Sequence, residues 1–234
     1  MCEKATATTT RKEIDFKEAK NILHYLCGDD ETSTDDIIDR FSQISPKYDK
    51  ILEAVSYDSP MQTAQTTAEL FPGNREHIYI LDAAAGTGLC AEKLFSYGFR
   101  KMDALEPSSK MLEEAKTKGL YRRYFINGLG ENTLGIDDET YDAVTICAMS
   151  TVVMKKLPMK AFEELIRIIK PGGYIINTAF YCLFPEDGDD HARLYRANVK
   201  TLECHGRLKQ VELRRFPQIG FDADGAVSVH KVLK

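Results

Sequence analysis

The sequence runs to 234 residues, with 43% hydrophobic and 29% charged residues and a formal net charge of −5. Such a chain has ample apolar material for a folded core. Basic residues gather only in short clusters such as Arg122-Arg123 and Arg214-Arg215, so the basic stripe of a nucleic-acid groove is missing and no nucleic-acid partner is expected.

No apolar run approaches the ~20 residues that span a bilayer, so no membrane partner is expected either. Residues 1–12 read as disordered. The opening MCEKATATTT has no apolar signal core, and Glu3 and Glu13 argue against an acid-poor presequence, which points to a cytoplasmic chain. The six cysteines, at positions 2, 27, 90, 147, 182 and 204, form no CxxC pair and match no zinc spacing, so reduced thiols are expected. The acidic run PEDGDDH lacks the alternating ligand spacing of a calcium loop. No metal is expected.

In chain order, residues 15–27 present Phe16, Ala19, Ile22, Leu23 and Leu26 on one helical face. Thr34 or Asp35 can cap a second helix that buries Ile37, Ile38, Phe41 and Ile44. Ser59-Pro60 is a helix start, and Phe71-Pro72-Gly73 its end. Ile78–Asp82 then reads as a buried parallel strand. The small-residue turn Ala83–Gly88 leads into a helix with Ala91, Leu94 and Phe95 inward. Met102–Leu105 is a second strand, and Ser108 caps the helix that follows it. Tyr124–Ile126 and Asp142–Cys147 are third and fourth strands. Pro158 opens a helix with Phe162, Leu165, Ile166 and Ile169 at the i, i+3, i+4, i+7 spacing. Pro171-Gly172-Gly173 ends it and starts the strand Tyr174–Thr178. A helix near 190–200 and two alternating segments, Leu208–Leu213 and Ala226–Leu233, complete the chain. The alternation specifies an α/β fold with a mostly parallel sheet, helices on both faces and a C-terminal antiparallel hairpin. It reads as one domain, 34–234, with a helical cap over 34–75 and an N-terminal extension over 1–33.

The segment ILDAAAGTG (80–88) carries the strongest site signal. Gly86 and Gly88 between strand and helix let backbone approach a ligand closely. Asp82, at the end of its strand, is expected to face the crevice and to suit a cationic group. Glu106 follows the second strand about twenty residues after Gly86, where a carboxylate can accept hydrogen bonds from a ribose diol.

These blocks resemble those of class I S-adenosylmethionine-dependent methyltransferases. ILDAAAGTGLC is similar to their first motif and LEPSSKML to their second; YDAVTICAMS and IKPGGYIINT are similar to the fourth- and fifth-strand motifs. PKYDKILEAVSYDSP and EPSSKMLEEAKTKGLY further resemble a narrower group, the methyltransferase-like family of the Williams–Beuren-region type. The resemblance implies a Rossmann-like seven-stranded sheet and S-adenosyl-L-methionine as cofactor. It places Tyr48, Asp82, Ala84, Gly86, Gly88, Glu106, Pro107, Met111, Glu131 and Cys147 around that cofactor, and Tyr57 with Tyr48 in its cover. Ala84 stands where the general motif has glycine. The usual third-strand aspartate for adenine is missing from NGLGENTLG, which leaves backbone groups or Glu131.

An activated methyl donor needs alignment more than acid–base help. No catalytic residue is assigned; Tyr48, Tyr57, Ser150 and His191 are the candidate bases. The acceptor reads as a small molecule or a protein site. Two other readings use the same residues. Gly86, Gly88 and Ala91 satisfy GxGxxA, which with Glu106 would suit a nicotinamide-dependent oxidoreductase, but Asp82 would sit against the pyrophosphate, and the Tyr97/Lys101 pair stands far from a catalytic position. A non-catalytic cofactor-binding protein would keep the same turn.

Overall fold

Apolar strands alternating with amphipathic helices assemble into three layers around a seven-stranded sheet of order β3-β2-β1-β4-β5-β7-β6. The computed structural model describes residues 14–188, 190–217, 219 and 223–234; the segment 1–12, expected to be disordered, lies outside them. Strands β1 (Tyr79–Ala83), β2 (Lys101–Leu105), β3 (Tyr124–Phe125), β4 (Tyr141–Cys147) and β5 (Ile169–Phe180) pair in parallel. Strand β7 (Gly225–Val232) runs antiparallel to both its neighbours, β5 and β6 (Leu208–Phe216). The expected mixed sheet with its C-terminal hairpin is the sheet found. Chain direction out of the sheet reverses between β1 and β4, and that switch point opens a crevice beyond the strand ends.

Period-two alternation sorts each strand's side chains between two cores. Ile80, Met102, Ala104, Ala143 and Ile176 face helices α4 (Ser59–Leu70), α5 (Leu89–Ser96) and α6 (Ser109–Thr117). Leu81, Leu105, Val144 and Ile175 face α7 (Thr151–Lys155), α8 (Met159–Ile168) and α9 (Arg193–Cys204). Asp103 enters the second core fully buried, but all its bonding is met. Its carboxylate accepts from Tyr79 Oη at 2.6 Å, Tyr141 Oη at 2.7 Å and Arg123 Nε at 2.8 Å, and from the Arg123 amide. A buried charge persists only under such pairing.

A third, smaller core forms ahead of the sheet. Leu23 and Leu26 of α1 (Phe16–Cys27) pack with Ile51 and Leu52 of α3 (Tyr48–Ala54), and Phe41 and Ile44 of α2 (Thr34–Ile44) lean on them. Leu89, the first residue of α5, joins this cluster, so the helical cap rests on the start of α5. Among the described residues no helix is long and apolar enough to cross a membrane.

Several expectations shift in detail. The caps of α2 and α4 are Ser33 and Asp58, each one residue before the expected position. Phe95, expected inward, is 41% exposed and lies under the Arg100 guanidinium, 3.8 Å from its ring centroid. Pro171-Gly172-Gly173, expected to end the helix and start the strand, instead sits inside β5, where the register with β4 slips. Gly173 is obligatory there, because a Cβ would stand 2.5 Å from the Asp142 carbonyl. The short helices α3 and α7 were not legible from periodicity.

Phe99 anchors the first core, with no exposure and an edge-on contact to Phe71 at 6.3 Å. Phe99→Ala is expected to cost about 3–5 kcal/mol of stability. Urea denaturation should show a lower midpoint with an unchanged slope.

Candidate functional site

The carboxyl ends of β1 and β4 both finish in a small residue with left-handed backbone, Ala84 (φ 56°) and Ala148 (φ 57°). Each turns its chain sharply away from the strand. Between them opens a cavity of about 150 Å³. Its floor is the turn Ala84–Thr87, which includes Gly86 at φ 54°.

Glu106 occupies the end of the neighbouring strand. Its Oε2 accepts the Gly86 amide at 3.0 Å and its Oε1 the Ser108 amide at 2.9 Å. The residue is 8% exposed and lines the cavity, and a carboxylate has lone pairs beyond the two used here. Burial raises its pKa and the two amide bonds oppose the rise. Beyond it, Pro107 and Met111 form one wall, and Asn127, Gly128 and Leu129 continue it.

Asp82 behaves differently. It lies inside β1 rather than beyond it, on the face toward α5 and α6, and it has no exposure. Its Oδ2 accepts the Tyr121 hydroxyl at 2.6 Å and its Oδ1 the Thr145 hydroxyl at 2.8 Å. Desolvation lifts its pKa from the ordinary 3.8 to about 6, against these hydrogen bonds. The expectation that Asp82 faces the crevice is therefore corrected: the side chain is spent between sheet and helices. Gly88 is corrected in the same way. It is not on the cavity wall, and a Cβ there would lie 3.2 Å from the Tyr121 ring and 3.6 Å from Ala115. Its missing side chain lets α6 close onto the turn.

The cap supplies the roof. Ile37, Ile38 and Phe41 of α2, Tyr48 and Leu52 of α3, and Tyr57 all reach the cavity. Burial pushes the phenols of Tyr48 and Tyr57 well above their ordinary value, so both stay protonated and neither is a base near neutral pH. Ser150 lines the cavity but donates to the Cys27 carbonyl at 3.3 Å. The side chain of His191 lies outside the described residues. Three sets of polar contacts fasten the helices ahead of the sheet to the rest of the domain. Asp49 of α3 accepts Thr87 Oγ1 at 2.5 Å and pairs with Lys118 at 2.8 Å. Ser42 and Ser108 share a hydroxyl bond at 2.6 Å. Lys156 donates to the Asp30 and Thr32 carbonyls at 2.8 and 3.1 Å.

Of the residues expected at the site, Tyr48, Ala84, Gly86, Glu106, Pro107, Met111 and Cys147 converge on the cavity, with Tyr57 and Ser150. Glu131 does not; it is exposed in the loop beyond the wall that Asn127–Leu129 provide. Sequence reasoning missed Asn127–Leu129, although they directly follow the third strand. Ile37, Ile38 and Phe41, read as the buried side of a helix, also line the cavity. Tyr97, of the Tyr/Lys pair weighed for an oxidoreductase, donates to Met61 Sδ at 3.8 Å and is absent from the cavity wall.

Comparison with known proteins agrees with this fold. Residues 81–177 match the family described as a methyltransferase domain. The chain is 33% identical to methyltransferase-like protein 27 of Homo sapiens over 138 residues, covering 59% of this chain and 55% of that protein. It is 35% identical to a demethylmenaquinone methyltransferase of Clavibacter sepedonicus over 144 residues, 60% and 56% of the respective chains. It thus spans just over half the length of these relatives. Among solved structures, a SAM-dependent methyltransferase of Leishmania major superposes with a TM-score of 0.61 at 17% identity, covering 92% of this chain and 91% of that one. An S-adenosylmethionine-dependent methyltransferase from Listeria monocytogenes gives 0.55 at 12%, covering 74% and 100%. The chain shares its fold with these solved SAM-dependent methyltransferases.

Because the folded state raises the Asp82 pKa, the native protein holds a proton between pH 4 and 6 that the unfolded chain releases. The Asp82 contribution to stability is then greatest near pH 4, falls as pH rises to 6, and is constant above. Asp82→Asn removes the ionisation. Its stability relative to wild type should improve by about 2–3 kcal/mol across that interval, read by urea titrations at several pH values.

Proposed function

We propose that this chain, built on a methyltransferase domain, transfers a methyl group from S-adenosyl-L-methionine to an acceptor molecule. The observation that carries the reading is Glu106: a buried carboxylate just past β2 that bonds two backbone amides and lines a cavity floored by a glycine turn. That donor set fits the nucleoside end of the cofactor. Glu106 would accept the ribose hydroxyls, and Leu105, Pro107 and Met111 would flank the adenine beside Asn127–Leu129. Ala84–Thr87 would bring backbone against the amino-acid end, with Tyr48 and Cys147 closing over it. When bound, the cofactor would supply a sulfonium-activated methyl group for a lone pair of the acceptor.

The residues of the chain then contribute position rather than proton transfer. Tyr48 and Tyr57 stay protonated and can orient a partner by hydrogen bonding. The cap, tied to the turn through Asp49, shuts out water. We take 34–234 as the methyltransferase domain, 34–75 as its cap and 1–33 as an extension. Cys27, Cys90, Cys147 and Cys204 are free thiols, which suits the reducing cytoplasm.

A dinucleotide fits less well. Its pyrophosphate would look to the turn amides, and the Gly86 amide is already given to Glu106. No Lys, Arg or His lines the cavity among the described residues. The same lack disfavours a nucleic-acid acceptor. The name of the demethylmenaquinone methyltransferases supports a small-molecule acceptor here too.

Calorimetry is expected to show binding of S-adenosylmethionine and S-adenosylhomocysteine and none of NADH, with a rise in melting temperature for the first two. Tight NADH binding without a response to S-adenosylhomocysteine would sink the reading. Glu106→Ala should weaken cofactor binding by about 1.5–3 kcal/mol while the fold survives.

A further inference from the structure

The cavity has two ends of different chemistry. Beyond the floor and the Glu106 wall, the cap end is built from Ile37, Ile38, Phe41, Leu52, Met149 and Val153. The polar atoms there are hydroxyls, those of Thr34, Tyr48, Tyr57 and Ser150. Both phenols are held neutral by burial, and the Ser150 hydroxyl already points at the Cys27 carbonyl. Glu106, the one lining carboxylate among the described residues, gives two of its acceptor positions to backbone amides at the other end.

A charged acceptor entering this end would lose its water and meet no opposite charge, which is a heavy penalty. An apolar body gains from the same surroundings, and a single hydroxyl or carbonyl could still find a tyrosine hydroxyl. We infer that the methyl acceptor is an uncharged, largely apolar small molecule, seated between α2 and the end of β4 against Ile38 and Phe41. The inference rests on the reading of the Glu106 end as the cofactor's, since the acceptor must lie beside the donor. The roof thereby acquires a second role, because the apolar stripe of α2 selects the substrate as well as covering the site.

The test uses the full chain loaded with S-adenosylhomocysteine and three probes of one shape: 2-naphthol, 2-naphthoate and 2-naphthylmethylamine. Binding is followed by calorimetry and by saturation-transfer NMR. The neutral probe is expected to bind at least about tenfold tighter than either ion. Ile38→Lys should weaken 2-naphthol at least about tenfold and leave the S-adenosylhomocysteine affinity within about threefold. Phe41→Ala, a milder change, should weaken 2-naphthol about threefold or more and serves where the lysine variant does not fold. Ions that bind as tightly as the neutral probe, or naphthol binding untouched by both variants, would overturn the inference while the cofactor reading stands. Failure of the wild-type chain to bind S-adenosylhomocysteine would instead bring down the cofactor reading, and this one with it.

Discussion

The Glu106 carboxylate is the joint on which the site depends. It reaches from the end of β2 to the Gly86 amide beyond β1 and back to the Ser108 amide at the start of α6. Two adjacent βα turns are thereby fixed to one another. A turn with Ala84 and Gly86 in left-handed backbone would otherwise be the softest part of the sheet edge. The strain of Ala84, roughly 1–2 kcal/mol for a residue with a Cβ, persists because the surrounding strands and this carboxylate over-determine its position. The same carboxylate lines the cavity, so one side chain both fixes the floor and borders the space above it.

The cap is coupled to that joint rather than merely laid upon it. Asp49 holds Thr87 of the turn and Lys118 beyond α6, and Ser42 meets the hydroxyl of Ser108, which also caps α6 by accepting the Met111 amide. A motion of α2 and α3 is therefore felt at residues adjacent to Glu106. Lys156 ties the loop ahead of α2 to the segment after β4, so the roof is secured on both sides of the switch point. Release of the roof requires breaking polar contacts that are mostly half-exposed and individually weak, which suits an element that must admit and discharge ligands.

The sheet was legible because parallel strands buried on both faces read as short apolar runs, and because the helices between them carry clean periodicity. What failed did so for local reasons. Helices α3 and α7 span seven and five residues, too few for a 3.6-residue period to declare itself. Strand β3 has two residues, so nothing in the sequence fixes the loop after it, and Glu131 was set where Asn127–Leu129 stand. The apolar face of α2 was correctly read as apolar. Periodicity states which face avoids water, not whether it meets a core or a cavity.

Position likewise separates residues of identical type. Gly86 and Gly88 sit two apart in one turn, both left-handed. The first floors the cavity, and the second makes room for Tyr121 and Ala115. Asp82 and Glu106 end adjacent strands, yet Asp82 lies within its strand and Glu106 follows the last residue of its own. That difference of position sends one carboxylate into the layer between sheet and helices, where Tyr121 and Thr145 hold it and desolvation favours its protonated form. It delivers the other to the crevice, where burial likewise raises the pKa and two backbone amides oppose the rise. A carboxylate at a strand end acquires its role from whether it stands before or after the final strand residue, because the ligand of an open α/β sheet lies beyond the strands and not between them.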